Sequence, residues 1–311
     1  TVALLKASGV EIYYGAPRFV AANEVVVGGE HLCADDIVLA TGSSPVRPAN
    51  IGLETVPYVT NQQIFDLETV PASLGVIGGG PIGVEMAQAY ARLGSAVTLF
   101  QSASQILPHD DRELADALAE ILRQEGITIH LATRVKRVEK NGEKTRITAA
   151  DAAGNAVTAE VEALLVAAGR QANVEGLGLA DIGVEHTTKG IKVDKHLRTT
   201  VPGIWACGDC TGQYQFSHIA EVEARIVLQN ILLPINQEPD YAGIPWGTFT
   251  DPELAHLGLT EAQAAEQGLT YRVYRQPFSL VDRAVVEQED AGMIKLIAKP
   301  NGQLLDAHIL G

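Results

Sequence analysis

Short apolar or alternating runs, separated by Gly, Pro and Asn, fill the first forty positions. Residues 11–15, 18–21 and 24–27 read as strands, and DIVLA at 36–40 reads as a compact strand running into Thr41-Gly42. Breakers at Pro45, Pro48, Gly52, Pro57 and Pro71 predict a domain crossing between residues 43 and 73. A βαβ pattern follows, with strands at 74–77 and 96–100 around a helix at 81–93. That helix carries Ile82, Met86, Tyr90 and Leu93 at helical spacing, with Pro81 at its start and Gly94 just past its end. A second helix is expected over 111–125, with Leu114, Leu118, Ile121 and Leu122 as its apolar stripe. Asp110-Asp111 stands at its N-terminus, where negative charge is favoured. Strands are expected at 127–131, 134–139, 145–149, 159–162 and 163–166. Residues 304–311 read as one more strand with no obvious closing element, and the pattern expects a fragment of a longer protein.

Three apolar runs end in a small residue and glycine: IVLATG at Gly42, LLVAAG at Gly169 and GIWACG at Gly208. Glycine after a buried strand lets backbone pass close to a ligand, although a plain strand-ending turn looks the same. The sharpest local signal is VIGGGPIGVEM, which sets Gly78, Gly80 and Gly83 in GxGxxG spacing with Ile82 inside the turn. It follows a strand and opens a helix, the context in which this spacing binds a dinucleotide pyrophosphate at the helix N-terminus. Gln101 stands 23 positions beyond Gly78, where an acid would grip the ribose 2′-OH of NAD. The segment 101–105 (QSASQ) has neither acid nor Arg, a mild lean toward NADPH. Glu85, in the first helical turn, reads either as a dipole-favoured carboxylate or as a buried acid near reacting rings.

The 311 residues suit two or three domains, and 46% apolar with 20% charged residues is ordinary for a soluble enzyme. The formal charge of −15 argues against nucleic acid or an anionic membrane surface as partner. No apolar run approaches the ~20 residues of a membrane span. Three cysteines make no disulfide framework, which fits a cytoplasmic location. Cys207 and Cys210 have CxxC spacing, but they bracket Gly208-Asp209, and a redox or metal role is not expected there. His31 and Cys33 share one side of a strand, and the remaining histidines form no ligand-spaced cluster, so no metal site is expected.

These motifs, in this order, resemble the class I pyridine nucleotide-disulfide oxidoreductases, the family of dihydrolipoamide dehydrogenase, glutathione reductase and mercuric reductase. IVLATGSSP resembles the family's first FAD segment, VIGGGPIGVE its NAD(P) loop, and LLVAAGRQANVEGLGL the exit from that domain, with Ala172 where Pro is usual. GIWACGDCTGQYQFSHIA is similar to the second FAD segment, closest in character to mercuric reductases, and FTDPELAHLGLTEAQA to the start of the dimerisation domain.

The resemblance implies an α/β fold with two Rossmann-like domains, the FAD domain discontinuous, plus a partial α+β dimerisation domain. The implied segments are 1–66 (FAD), 67–172 (NAD(P)), 173–235 (FAD) and 240–311 (dimerisation). It places Thr41, Gly42, Asp209 and the stretch Gln215, Phe216, Ser217 and His218 against FAD, and Gly169 and Arg170 beside the nicotinamide channel. Glu85 would face a lysine in an N-terminal part not included here. The family's first GxGxxG and its CxxxxC disulfide are absent from these residues, and its catalytic His-Glu pair would lie beyond Gly311. The implied activity passes hydride from NAD(P)H to flavin, then on to a disulfide, metal ion or other small acceptor, in a homodimer. The alternatives are a thiol-independent NAD(P)H oxidase or transhydrogenase, and a non-catalytic nucleotide-binding redox sensor.

Overall fold

The computed structural model describes residues 2–241 and 243–311. It is a mixed α/β chain that divides into two compact units. One holds the residues through Ser44 with Arg170–Asp240, the other Pro45–Gly169 with Tyr241–Gly311.

The first unit opens on a short helix, Val2–Ala7, none of whose residues is buried. Residues 11–15, expected as a strand, are irregular. All but Ile12 are exposed there, and Tyr13 donates its hydroxyl to Glu11 at 2.7 Å, so the stretch presents no apolar face to a sheet. The expected strands at 18–21 and 24–27 do form, and with Glu30–Cys33 they make an antiparallel sheet. Ile37–Leu39 pairs in parallel with Ile204–Ala206. Phe19, Leu39, Val174, Ile191, Ile204 and Ala206 build the core beneath these strands.

In the second unit a four-stranded parallel sheet runs in the order Ala163–Val166, Ser73–Ile77, Ala96–Phe100, Thr128–His130. Residues 45–66 belong to this unit: Val59 bridges Leu165, and Ile64 is wholly buried. Arg134–Asn141, Lys144–Ala150 and Ala156–Val161 form an antiparallel meander.

The helix Pro81–Arg92 is turned from its expected stripe. Gly83, Val84, Ala87 and Gln88 are its buried residues, while Met86 and Tyr90 are half-buried and Leu93 is 61% exposed. Gly83 decides this, because a Cβ there would lie 1.9 Å from the Gly78 carbonyl oxygen. The helix comes closest to its strand along the glycine line, and the larger residues fall to the sides. The helix Arg112–Gln124 does bury Leu114, Leu118 and Leu122, and Asp111 caps it by accepting from the Glu113 amide at 3.1 Å.

A five-stranded antiparallel sheet completes the unit, in the order Trp246–Thr248, Leu254–Leu257, Leu304–Leu310, Met293–Ala298, Arg272–Pro277. Leu304–Leu310 is therefore an interior strand, bonded on both sides, and not an unclosed edge. Among the described residues no helix is long and apolar enough to cross a membrane.

Candidate functional site

The glycine turn after Ser73–Ile77 has two closed positions and one open one. Gly78 has φ +110°, and a Cβ there would meet the Ala167 carbonyl oxygen at 2.2 Å. Gly83 is closed by the Gly78 carbonyl, as above. Gly80 is the N-cap of the Pro81–Arg92 helix, and nothing lies within 4 Å of a Cβ built on it. No side chain caps this helix start, so its first-turn N–H groups, those of Ile82 and Gly83 among them, keep their bonding capacity for a ligand. Two glycines thus fix the turn, while the third leaves space in front of an uncapped positive helix end. That cradle fits the pyrophosphate of a dinucleotide.

Gln101 does not reach outward from the next strand. It is 7% exposed and packs on Gly79, and its Oε1 accepts the Ser102 amide at 3.0 Å. Glu85 is half-buried, and one carboxylate oxygen accepts the Phe249 amide at 2.9 Å. Burial pushes its pKa up from the usual glutamate value, and the Phe249 hydrogen bond opposes that shift. Gly169 has φ +112° with open space at its Cβ position.

In the other unit the structure gathers Thr41, Gly42, Arg170 and Asp209 around two residues that sequence reasoning missed, Ser43 and Asn173. Asn173 uses all its polar groups on residues 41–44. Its amide donates to the Gly42 carbonyl at 2.9 Å and its Nδ2 to the Thr41 carbonyl at 2.9 Å. Its carbonyl accepts the Thr41 hydroxyl and its Oδ1 the Ser44 hydroxyl, both at 2.7 Å. Ser43 donates to Asp209 Oδ2 at 2.5 Å and accepts from Arg170 Nε at 2.7 Å, while Arg170 stands 3.6 Å from the same carboxylate. Gly42, at φ +69°, is open where a Cβ would stand. An oriented carboxylate beside a half-buried glycine turn with open space at Gly42 suits the hydroxyls of a ribityl or ribose chain.

Behind Asp209, the Gly208 amide donates to the wholly buried Glu223 at 2.6 Å. That ties the loop to the helix Ser217–Leu232. Gln215 and Phe216 lead into this helix, Phe216 as an N-cap without a side-chain cap bond, and Ser217 and His218 form its exposed first turn. The sequence held no local signal for Ser43, Asn173 or Glu223 as partners, since the first two pairings join residues more than a hundred positions apart.

Cys207 and Cys210 are buried free thiols. Burial pushes the Cys207 thiol up to about 11 and raises Cys210 as well. Cys210 Sγ donates toward the Leu39 and Cys207 carbonyls. Neither is poised as a thiolate nucleophile. His31 is exposed and pairs with Glu24 at 2.6 Å, and no group of three or more metal-ligating side chains is found among the described residues.

The chain matches the family described as pyridine nucleotide-disulphide oxidoreductase over residues 1–224, and that family's dimerisation domain over residues 244–311. A mercuric reductase of Streptomyces lividans is 38% identical over 275 residues, covering 88% of this chain and 58% of that protein. A probable pyridine nucleotide-disulfide oxidoreductase, RclA, of Escherichia coli is 34% identical over 97% of this chain and 69% of its own. Among solved structures, the HOCl-induced flavoprotein disulfide reductase RclA from Escherichia coli superposes with a TM-score of 0.88 at 32% identity, covering 97% of this chain and 69% of that one. LpdA from Mycobacterium tuberculosis gives 0.88 at 25% identity, over 100% and 70%. The chain spans only 49% to 58% of the length of the mercuric reductases of Bacillus cereus and Streptomyces lividans.

Proposed function

Since the chain belongs to the pyridine nucleotide-disulphide oxidoreductase family, we propose that it is part of an FAD-dependent NAD(P)H oxidoreductase. Its acceptor would be a disulfide, a metal ion or another small oxidant. The observation that carries this is the glycine cradle, where Gly78 and Gly83 are sterically closed while Gly80 stands open before an uncapped helix. The Gly78–Gly83 turn would hold the nicotinamide nucleotide. Thr41, Gly42 and Asp209, braced by Ser43, Arg170 and Asn173, would hold the flavin's sugar chain. Bound FAD would supply the two-electron acceptor, and the protein's part is position and electrostatics. The Gln215–His218 helix start would present backbone N–H groups to the flavin.

The functional segments proposed are 1–66 and 173–235 for FAD, 67–172 for NAD(P), and 240–311 for a homodimer contact. The dimerisation-domain match supports the last of these. Cytoplasmic location and the absence of nucleic-acid or membrane partners are proposed on the acidic charge and sparse cysteines.

Anaerobic addition of NADPH or NADH to the flavin-loaded protein tests the reading. The visible flavin band should bleach, then recover with an acceptor. A protein that binds both cofactors without bleaching would be a nucleotide-binding sensor instead.

A further inference from the structure

Five paired residues cross the five-stranded sheet in one row: Trp246, His256, His308, Lys295 and Arg275, each opposite the next on the neighbouring strand. Directly paired residues share a face, and this face meets the start of the Arg112–Gln124 helix. There Asp110 accepts Trp246 Nε1 at 3.1 Å, and Asp111 holds Lys295 at 2.9 Å. The Trp246 and His256 rings stack with centroids 3.7 Å apart, and the His308 ring meets His256 edge-on at 4.6 Å. Both histidines are buried, His256 at 2% and His308 at 1% exposed. Neither is among the residues proposed to hold a cofactor.

The two rings differ in what a second proton would find. His256 Nε2 lies 2.8 Å from the Gly258 carbonyl, and His308 Nε2 3.0 Å from the Leu259 carbonyl. A carbonyl only accepts, so Nε2 carries the hydrogen in each neutral ring and Nδ1 is bare. His256 Nδ1 stands 3.4 Å from Asp110 Oδ1, so a proton added there meets a carboxylate. His308 Nδ1 has no hydrogen-bond partner among the described residues. A proton there becomes a buried donor with nothing to accept it. Its cross-strand neighbours on the two sides are His256 and the cation Lys295.

Burial first, then His256, lowers the His308 pKa, and Lys295 adds to the shift while the Leu259 bond and Asp111 oppose it. The unfolded chain takes up this proton near 6.5 and the folded chain resists it, so stability falls as pH drops below that value. Asp306, two positions back on the same strand, has the opposite sign, because burial raises its pKa and a proton removes its buried charge. Glu261 and Glu113 face Lys295 from the far side, at 2.7 and 3.0 Å. Asp111 and Glu113 are both held below the ordinary carboxylate range, so they keep their charge while His308 titrates. Backbone bonds carry the row's position onward. The Asp110 amide donates to the Leu107 carbonyl at 2.9 Å, and the Leu107 amide to the Gly79 carbonyl at 2.7 Å.

We infer that His308 is an acid-sensitive switch: neutral, it lets the sheet close on residues 107–113, and protonated, it loosens that segment and the Gly79 turn attached to it.

Hydrogen exchange at the histidine C2 positions, followed by mass spectrometry across pH, reads the titration of His308 in the wild-type protein. His308 should titrate below the ordinary value of 6.5, and titration at or above that value would overturn the switch. Amide exchange, corrected for intrinsic rates, then locates the response. Protection of residues 107–113 should drop at least about threefold between about pH 7.5 and about pH 5.5. His308→Gln keeps a side-chain donor for the Leu259 carbonyl but cannot take up the proton, so most of the drop should vanish. An unchanged wild type, or an equal drop in His308→Gln, would overturn it as well.

Discussion

The Phe249 backbone amide donates to the Glu85 carboxylate at 2.9 Å, so a segment of the C-terminal half fixes an acid on the nucleotide-loop helix. Two further residues on that helix face continue the contact, at spacings of three and seven. Gln88 donates to the Asp251 carbonyl at 2.7 Å and accepts the Asp251 amide at 2.9 Å. Arg92 pairs with the Asp251 carboxylate at 2.6 Å. Glu85, Gln88 and Arg92 thus grip residues 249–251, and Glu85 is held by a backbone donor rather than by a cation.

A half-buried acid with a neutral partner prefers its proton, and this fixes the sign of the first prediction. The folded-state pKa of Glu85 lies above its unfolded value near 4.5, because burial outweighs the Phe249 bond. Ionised Glu85 therefore costs stability. The cost is absent below the ordinary glutamate range and fully present above the raised value. Glutamine keeps the acceptor oxygen without the charge. Glu85→Gln should be more stable than wild type at neutral pH, by less than about 1 kcal/mol after allowing for solvent screening. The gain should disappear as pH falls below the glutamate range. Urea unfolding at neutral and acid pH measures both, and a destabilised variant at neutral pH would reveal a cationic partner.

Gly80 and Gly83 separate binding from folding. An alanine at Gly83 must displace the Gly78 carbonyl or the helix, an overpacking cost of about 1–3 kcal/mol. An alanine at Gly80 meets no atom within 4 Å, and φ −78° suits any residue. It should change stability by no more than about 1 kcal/mol, yet its methyl would stand in the cradle. The melting temperature of Gly80→Ala without ligand should match wild type, and the rise on adding NADPH should be lost. A full NADPH-induced rise in Gly80→Ala would mean that the pyrophosphate sits elsewhere.

The glycine turn was legible in the sequence because its physics is local: Gly78, Gly80 and Gly83 in GxGxxG spacing, between a strand and a helix. The helix face was not, because large apolar residues at helical spacing outvote a glycine that makes the closest approach. Residues 11–15 were misread for another reason, since all but Ile12 are exposed and no buried face enforces a period. Asn173 and Ser43 lay hidden because each is an ordinary polar residue until the chain brings residues 41–44 beside residues 170–173. Lys295 shows the same limit most clearly. It is the lone charged residue of the apolar strand MIKLIA, with its acidic partners far off in sequence, yet its side chain is 3% exposed.

Lys295 meets three acids from two other elements. Its Nζ lies 2.9 Å from Asp111, 3.0 Å from Glu113 and 2.7 Å from Glu261, while Arg275 reaches Glu113 at 2.8 Å and Glu261 at 3.2 Å. Burial opposes the charge on Lys295, but the hydrogen bonds it donates to Glu261, Asp111 and Glu113 outweigh it, and its pKa rises. Burial likewise favours the proton on Asp111, yet Lys295 prevails and holds the carboxyl below its usual range. Arg275, against burial, and then Lys295 lower Glu113. The depressed acids contribute stability above the ordinary carboxylate range and lose it as pH falls through their lowered values. The lysine contributes below its unfolded value near 10.5 and loses it only above its raised one. Their joint stabilisation therefore spans neutral pH. Lys295→Met leaves three carboxylates with Arg275 alone and should cost about 3–5 kcal/mol there. The deficit should shrink toward about pH 4 as the abandoned acids take up protons, and Asp111→Asn in the same chain should restore part of it. Chemical unfolding across this pH range decides the matter. A deficit under about 1 kcal/mol, or one independent of pH, would mean that the cluster behaves as a screened surface pair.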